Sequence, residues 1–258
     1  MHRLICLLPA LILSLTTFPS THADVLPFPT KLQWGNIVRK EASVELHVTS
    51  LPDNGIIRMP RLNNPWKRIY LKSDSKKKAL EFRPEIAEWL ITYPRHARTP
   101  GVIVVETTGP PRLLIQPFVT QPNREGIYNL PAYHAVTHGE LLRFEPQPHK
   151  NTVGYWANEE DWCEWQLNVE EPGEYEVHIL QGCGKGHGGS EVSINIGKSK
   201  LAFIVEDTGH FQNFKPRNLG RIEIMKPGRQ SLKVKPISKA KGAVMDVRAI
   251  RLLPVGNG

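Results

Sequence analysis

Eight consecutive residues, Gly182-Cys183-Gly184-Lys185-Gly186-His187-Gly188-Gly189, hold a lysine, a histidine and a thiol on a backbone almost free of side chains, which has the look of a phosphate cradle. The chemistry does not follow. No GxxxxGK[ST] pattern is present and no helix follows, so the anion-binding helix terminus is missing. The segment is expected as a mobile loop between two strands that could border a ligand groove. The histidines do not form HExxH, and the pair His134 and His138 is expected on an exposed linker. Nothing like GxSxG marks a nucleophile. Apart from Cys6 there are two cysteines, Cys163 and Cys183, too few for a metal cluster or a disulfide framework. A hairpin centred on Gly173 would set these two opposite each other, as a disulfide or as two buried thiols.

The elements that must hold such groups read as strands. Of 258 residues, 40% are hydrophobic and 22% charged, enough for one or two packed cores and too apolar for disorder. The 22 prolines and 20 glycines punctuate short apolar runs. Clear runs are Val44 to Val48, Arg68 to Leu71, Val102 to Glu106, Glu164 to Val169, Tyr175 to Leu180, Glu191 to Ile196, Leu201 to Val205, Arg221 to Met225, Ser231 to Val234 and Val244 to Leu253. Long amphipathic helices are missing, and Pro84 to Leu90 reads as a strand or a single turn. Pro117, Pro122 and Pro131 flank a polar stretch and mark a linker over 119–134. On either side, 34–118 and 135–255 have the many short strands of a β-sandwich.

Residues 1–23 read as a secretory signal peptide: Met1-His2-Arg3 is positive, Leu4 to Leu15 apolar, and Thr21-His22-Ala23 a cleavage site. That apolar run is shorter than the roughly 20 residues needed to span a bilayer, so no transmembrane segment is expected and the protein is placed as secreted or periplasmic. The net charge of +8 falls to +7 when Arg3 leaves with the leader. A positive balance favours acidic partners such as sulfated or uronic polysaccharides. Only Lys76-Lys77-Lys78 forms a basic run, which argues against nucleic acid.

Trp34-Gly35, Leu46-His47-Val48, Pro52-Asp53-Asn54-Gly55, Ile69-Tyr70-Leu71 and Val102 to Glu106 follow one another across residues 34–118. In this order they resemble the C-terminal β-sandwich of family 29 α-L-fucosidases. Asp53-Asn54-Gly55 supplies residues that tolerate positive φ in a tight hairpin, and Asn63-Asn64-Pro65 makes a second turn. The resemblance implies an enzyme whose catalytic groups sit on a (β/α)8 barrel upstream of this sandwich. Ten residues separate Ala23 from Trp34. A retaining glycosidase needs two carboxyls about 5 Å apart, and the resemblance offers no position for either. No catalysis by this chain alone is expected.

Residues 135–255 carry Gly154-Tyr155, Asp161-Trp162, Pro172-Gly173-Glu174-Tyr175-Glu176-Val177, Thr208-Gly209-His210-Phe211, Pro227-Gly228 and Met245-Asp246. This order is similar to a family 6 type carbohydrate-binding module, a galactose-binding-like jelly roll. Sugars present apolar C–H faces and a ring of hydroxyls, so such a site needs aromatic walls and a few fixed polar groups. The resemblance implies that Tyr155 or Trp156, together with Phe211, grips a sugar ring, while Trp162 and Trp165 read as core. It also implies an asparagine two residues before the final aspartate, where this chain has Val244; His210, Asn213, Asn158 and Asn218 are candidates to replace it. A structural calcium is implied at Glu145 and Asp246, although Arg143 stands where a second acidic ligand is common. The alternatives are a salt bridge for Glu145 and a hydrogen bond for Asp246.

The expectation is an all-β chain of two β-sandwich domains, the second a jelly roll. It is a secreted, non-catalytic accessory protein that binds a polysaccharide or glycan, with no cofactor required and a structural calcium as an option, beside a separate glycoside hydrolase. Two other readings stay open: a detached C-terminal part or split subunit of an α-L-fucosidase, and a structural protein-interaction module.

Overall fold

The computed structural model describes residues 31–113 and 117–256, so the expected leader lies outside the described residues. Side-chain alternation organises the chain. Val44, Leu46 and Val48 are fully buried while Ser43, Glu45 and His47 between them are not, the pattern of a strand with one face on a core. The first group of strands is β1 (Gly35–Arg39), β2 (Ser43–Val48), β3 (Ile56–Pro60), β4 (Trp66–Leu71), β5 (Phe82–Pro84), β6 (Glu88–Thr92) and β7 (Gly101–Thr107). They form a four-stranded sheet, β1-β2-β7-β4, and a three-stranded sheet, β3-β6-β5. Leu46, Ile69 and Val105 of the larger sheet share a core with Ile57, Met59 and Trp89 of the smaller.

The second group is β8 (Val119–Thr120), β9 (Tyr128–Pro131), β10 (Val136–His138), β11 (Arg143–Glu145), β12 (Thr152–Gly154), β13 (Trp162–Val169), β14 (Gly173–Cys183), β15 (Glu191–Ile196), β16 (Ser199–Ile204), β17 (His210–Ile224), β18 (Gly228–Ser238) and β19 (Asp246–Pro254). One sheet runs β10-β13-β18-β15-β16, with β8 beside β13; the other runs β11-β12-β19-β14-β17, with β9 beside β19. The chain is all-β: two sandwiches, the second a jelly roll. Only β8 with β13 pairs in parallel, and no (β/α)8 barrel occurs among the described residues. Trp165, fully buried, donates its indole N–H to the Pro131 carbonyl at 2.7 Å. The two groups meet where buried Arg61 donates to the Ala135 carbonyl at 3.2 Å and lies over the Phe144 ring.

Three connections differ from expectation. The stretch 119–134 is not a linker, because β8 and β9 belong to the second group's sheets and Tyr128 and Leu130 are buried in its core. Proline is tolerated at such an edge, so proline content alone misleads. His134 is accordingly not exposed but stacked on Phe118 at 3.7 Å, and burial holds its pKa down to about 4. Asp53-Asn54-Gly55 does make a turn, with Gly55 at φ +68 and the Asn54 side chain accepting from the Ile56 N–H at 3.0 Å. It joins β2 to β3 in a different sheet rather than closing a hairpin.

Pro172-Gly173 likewise carries the chain from one sheet to the other, since β13 pairs with β18 and β14 with β17 and β19. An apolar face is satisfied equally by a neighbour in the same sheet and by a strand across the core, and here β13 and β14 stand in opposite sheets. Cys163 and Cys183 therefore do not form the expected cross-strand pair; both are free and buried. Burial raises the Cys183 thiol to about 11 and pushes Cys163 further up, which leaves neither as the reactive thiolate. Both are expected to resist a maleimide reagent in the native protein and to react after unfolding without reductant. Labelling followed by peptide mapping checks this, and protection that only a reductant lifts would contradict it.

Candidate functional site

Connections at one end of the second sandwich are stitched together by their backbones. The Val244 N–H donates to the Trp156 carbonyl at 2.9 Å, the Thr208 N–H to Cys183 at 3.2 Å, and the Gly189 N–H to Val205 at 2.9 Å. Tyr155 stands here just after β12, 53% exposed and at φ +60, a left-handed conformation uncommon for a bulky side chain. The Arg143 guanidinium lies 3.9 Å from the centre of its ring. Trp156 points the other way and is excluded as a sugar platform. It is 1% exposed, and its indole N–H is spent on the Asp161 carbonyl at 2.9 Å.

Phe211 is half-buried near the start of β17. A Cβ on Gly184 would come within 2.5 Å of its ring, and one on Gly182 within 2.0 Å of its carbonyl oxygen. The glycine run therefore seats an aromatic ring. It is also fastened rather than loose: the Asp207 carboxylate accepts from the Gly186 and Gly209 N–H groups, which hold its pKa below the usual carboxylate range. His187 from the same run lies 5.4 Å from the Phe211 ring. Tyr155 and Phe211 are each one residue from a neighbour of the Asp246 carboxyl, Gly154 on one side and Gln212 on the other.

His210 is exposed; its Nδ1 accepts from the Gln212 N–H at 3.1 Å, and Nε2 faces away from that bond. Asn213, also exposed, donates its amide to the Thr208 carbonyl and keeps its side-chain oxygen. Val244 is fully buried and offers no polar group.

Beneath Tyr155 lie the two carboxyls expected to hold calcium. Glu145 and Asp246 are 5% and 3% exposed. A Cβ on Gly154 would come within 2.9 Å of Glu145 Oε2 and 2.8 Å of Asp246 Oδ1, so the two face each other across that glycine. Lys150 donates to Glu145 Oε1 at 2.7 Å, the salt-bridge alternative. Asp246 Oδ2 is buried with no hydrogen-bond partner among the described residues. Burial first and the Glu145 charge second push the Asp246 pKa up to about 8, against the pull of Lys150, the Gln212 side chain and Arg248. Asp246 therefore keeps a proton at neutral pH, and a single ammonium balances the pair.

A divalent ion beside Lys150 would bring three positive charges to two carboxyls. Among the described residues no group of three or more His, Cys, Asp or Glu side chains could hold a metal. The residues do not fit calcium while Lys150 is seated. Facing carboxyls are also what a retaining glycosidase uses. These two are sealed under Gly154 and border neither groove described below, so a sugar has no way between them.

Other residues fall elsewhere. Trp162, read as core, is instead half-buried on the outer face of its sheet, with His138 stacked on it at 3.8 Å and the Lys235 ammonium 4.2 Å from its centre. Two grooves of about 890 and 940 Å³ lie on the first sandwich, far in sequence from Tyr155 and Phe211. Sugar stacking needs an exposed aromatic shelf rather than a hollow, and the grooves' linings bring no exposed aromatic. Arg143 and Lys150 were not singled out for these contacts from sequence. The two-residue alternation along β11, which sets Arg143 and Glu145 on one face, is the signal that was available.

No family model matches the chain, and no curated protein matches it. Solved structures do. The α-L-fucosidase from Vibrio sp. strain EJY3 is similar over 86% of this chain, at 18% identity and a TM-score of 0.35, and the match spans 40% of that enzyme's length. The C-terminal family 6 carbohydrate-binding module of the laminarinase LamC from Zobellia galactanivorans is similar over 49% of this chain and 98% of its own, at 19% identity and a TM-score of 0.41. A family 35 carbohydrate-binding module from Clostridium thermocellum is similar over 50% of this chain and 98% of its own, at 14% identity and a TM-score of 0.40. Both kinds of protein that the sequence resembles are among its structural neighbours.

Asp246 gives a pH signature. Its pKa rises on folding from near 4 to about 8, so its protonation stabilises the fold fully below about pH 4, and this contribution is lost as pH rises through 8. Urea melts between pH 5 and 8 are expected to show stability falling by at most about 1.4 kcal/mol per pH unit from this group, with a flatter slope in Asp246→Asn. An unchanged slope in the variant would contradict the assignment.

Proposed function

We propose that this chain binds a glycan at the loop end of its second sandwich, through Tyr155 and Phe211, and does not hydrolyse it. The observation that carries this reading is Tyr155. An aromatic ring turned out to solvent from a left-handed backbone carries strain on the order of 1–3 kcal/mol. Such strain is an observed outlier that points toward use. An exposed tyrosine offers a flat apolar face to the C–H side of a sugar, and the hydroxyl remains for hydrogen bonding.

Phe211, seated on its glycines, supplies a second wall, and His210 Nε2 and the Asn213 side-chain oxygen supply polar groups at the same end. The resemblance of residues 135–255 to a sugar-binding module supports the assignment. The sealed state of Glu145 and Asp246 supports binding without catalysis. The role that follows is accessory: a secreted protein holding a polysaccharide, with a separate glycoside hydrolase as the natural consumer.

Affinity electrophoresis against a panel of polysaccharides tests this. The wild-type chain is expected to be retarded by at least one of them, and Tyr155→Ala to weaken that binding about tenfold. Phe211→Ala is expected to have a similar or smaller effect, and no reducing sugar should be released. Retardation that survives both substitutions, or none on any gel, would sink the reading.

A further inference from the structure

Arg143 begins β11 and stands opposite Gly154 in register, one residue from Tyr155. We propose that this arginine makes the site selective for acidic glycans, its guanidinium pairing with a carboxylate or sulfate on a sugar stacked against Tyr155. The inference rests on the reading of Tyr155 as a sugar platform.

The guanidinium is held in place but largely unspent. Its carbon lies 3.9 Å from the tyrosine ring centre, and that contact orders a side chain that would otherwise sample many rotamers. Of its five N–H donors, one reaches the Leu141 carbonyl at a long 3.4 Å. Nε is buried with no hydrogen-bond partner among the described residues. No carboxylate among the described residues pairs with it. Glu145, two residues along the same strand, is taken by Lys150.

Arg248 shows the contrast. It stacks on Phe214 at 3.7 Å, yet it spends Nε and Nη2 on the carbonyls of His149 and Lys150. Arg248 holds a loop; Arg143 holds nothing comparable.

Planar N–H donors over an aromatic ring match the two oxygens of a carboxylate or sulfate edge. Nη2 makes no hydrogen bond and, unlike Nε, is not sealed from solvent, so it is the donor that an incoming anion meets.

The test uses a neutral polysaccharide, a uronate-bearing one and a sulfated one, with wild type, Arg143→Gln, Arg143→Lys and Lys76→Gln, each checked by thermal melt. The wild-type chain is expected to bind one acidic gel more tightly than the neutral gel, and the choice of gel tells carboxylate from sulfate. Arg143→Gln should lose about tenfold on that gel, the scale of one charge-assisted pair, and nothing on the neutral one. Arg143→Lys should recover only part, since the planar fork is gone. Lys76→Gln, which removes an exposed charge remote in sequence, should change nothing.

Equal binding by Arg143→Gln and wild type, a preference for the neutral gel, or an equal loss in Lys76→Gln would overturn acid selectivity while leaving Tyr155-dependent glycan binding intact. No retardation on any gel would overturn both.

Discussion

Among the described residues the second sandwich has one short 3-10 turn, Ala132–His134, and no α-helix to cover its sheets, so each sheet must bury its apolar side against the other. That constraint fixes the phase of every strand that enters an end loop. After Gly154 the chain can bury one of the two adjacent aromatics and must expose the other. Truncating a buried tryptophan costs about 3–5 kcal/mol, which exceeds the roughly 1–3 kcal/mol of an unfavourable backbone conformation. Trp156 therefore goes inside, its indole N–H satisfied by Asp161, and Tyr155 is turned out at φ +60. Core packing thus decides which of the two adjacent rings is left for the surface.

The carboxyl pair under Gly154 shows why proximity of the right groups is not yet chemistry. Glu145 and Asp246 are close enough to be read either as calcium ligands or as a glycosidase pair. As the chain stands, Lys150 pairs with Glu145 and burial raises the Asp246 pKa, so an ammonium holds the seat between them. Access decides against the second, because both are almost wholly buried. With Lys150 paired to Glu145 and the Asp246 pKa raised by burial, neither carboxyl pairs with Arg143 on the same strand.

Much of this was legible in the sequence. The apolar runs named from Val44 to Leu253 all overlap strands, with Val205, Met225, Val244 and Met245 just outside the strand ends, because alternation with turn punctuation is a local signal. Which strands pair is not local. Cys163 and Cys183 are symmetric about Gly173 as a hairpin requires, yet the same alternation serves two strands on opposite sheets. Tyr128 and Leu130 were hidden by surrounding prolines. At the candidate site, Tyr155 and Phe211 were visible as types at recognisable positions, but the choice between Tyr155 and Trp156 needed the phase of the core. The contacts of Arg143 and Lys150 are set by neighbours and could not be seen from the chain alone.

The central claim is that Tyr155 and Phe211 form one surface for a sugar. Chemical-shift mapping of the labelled protein titrated with an oligosaccharide from a retarding polysaccharide tests it most directly. Shifts are expected to concentrate at Tyr155, Arg143, Gly184 and Phe211. Shifts confined to Trp162 and its lysines, or to the grooves of the first sandwich, would contradict it.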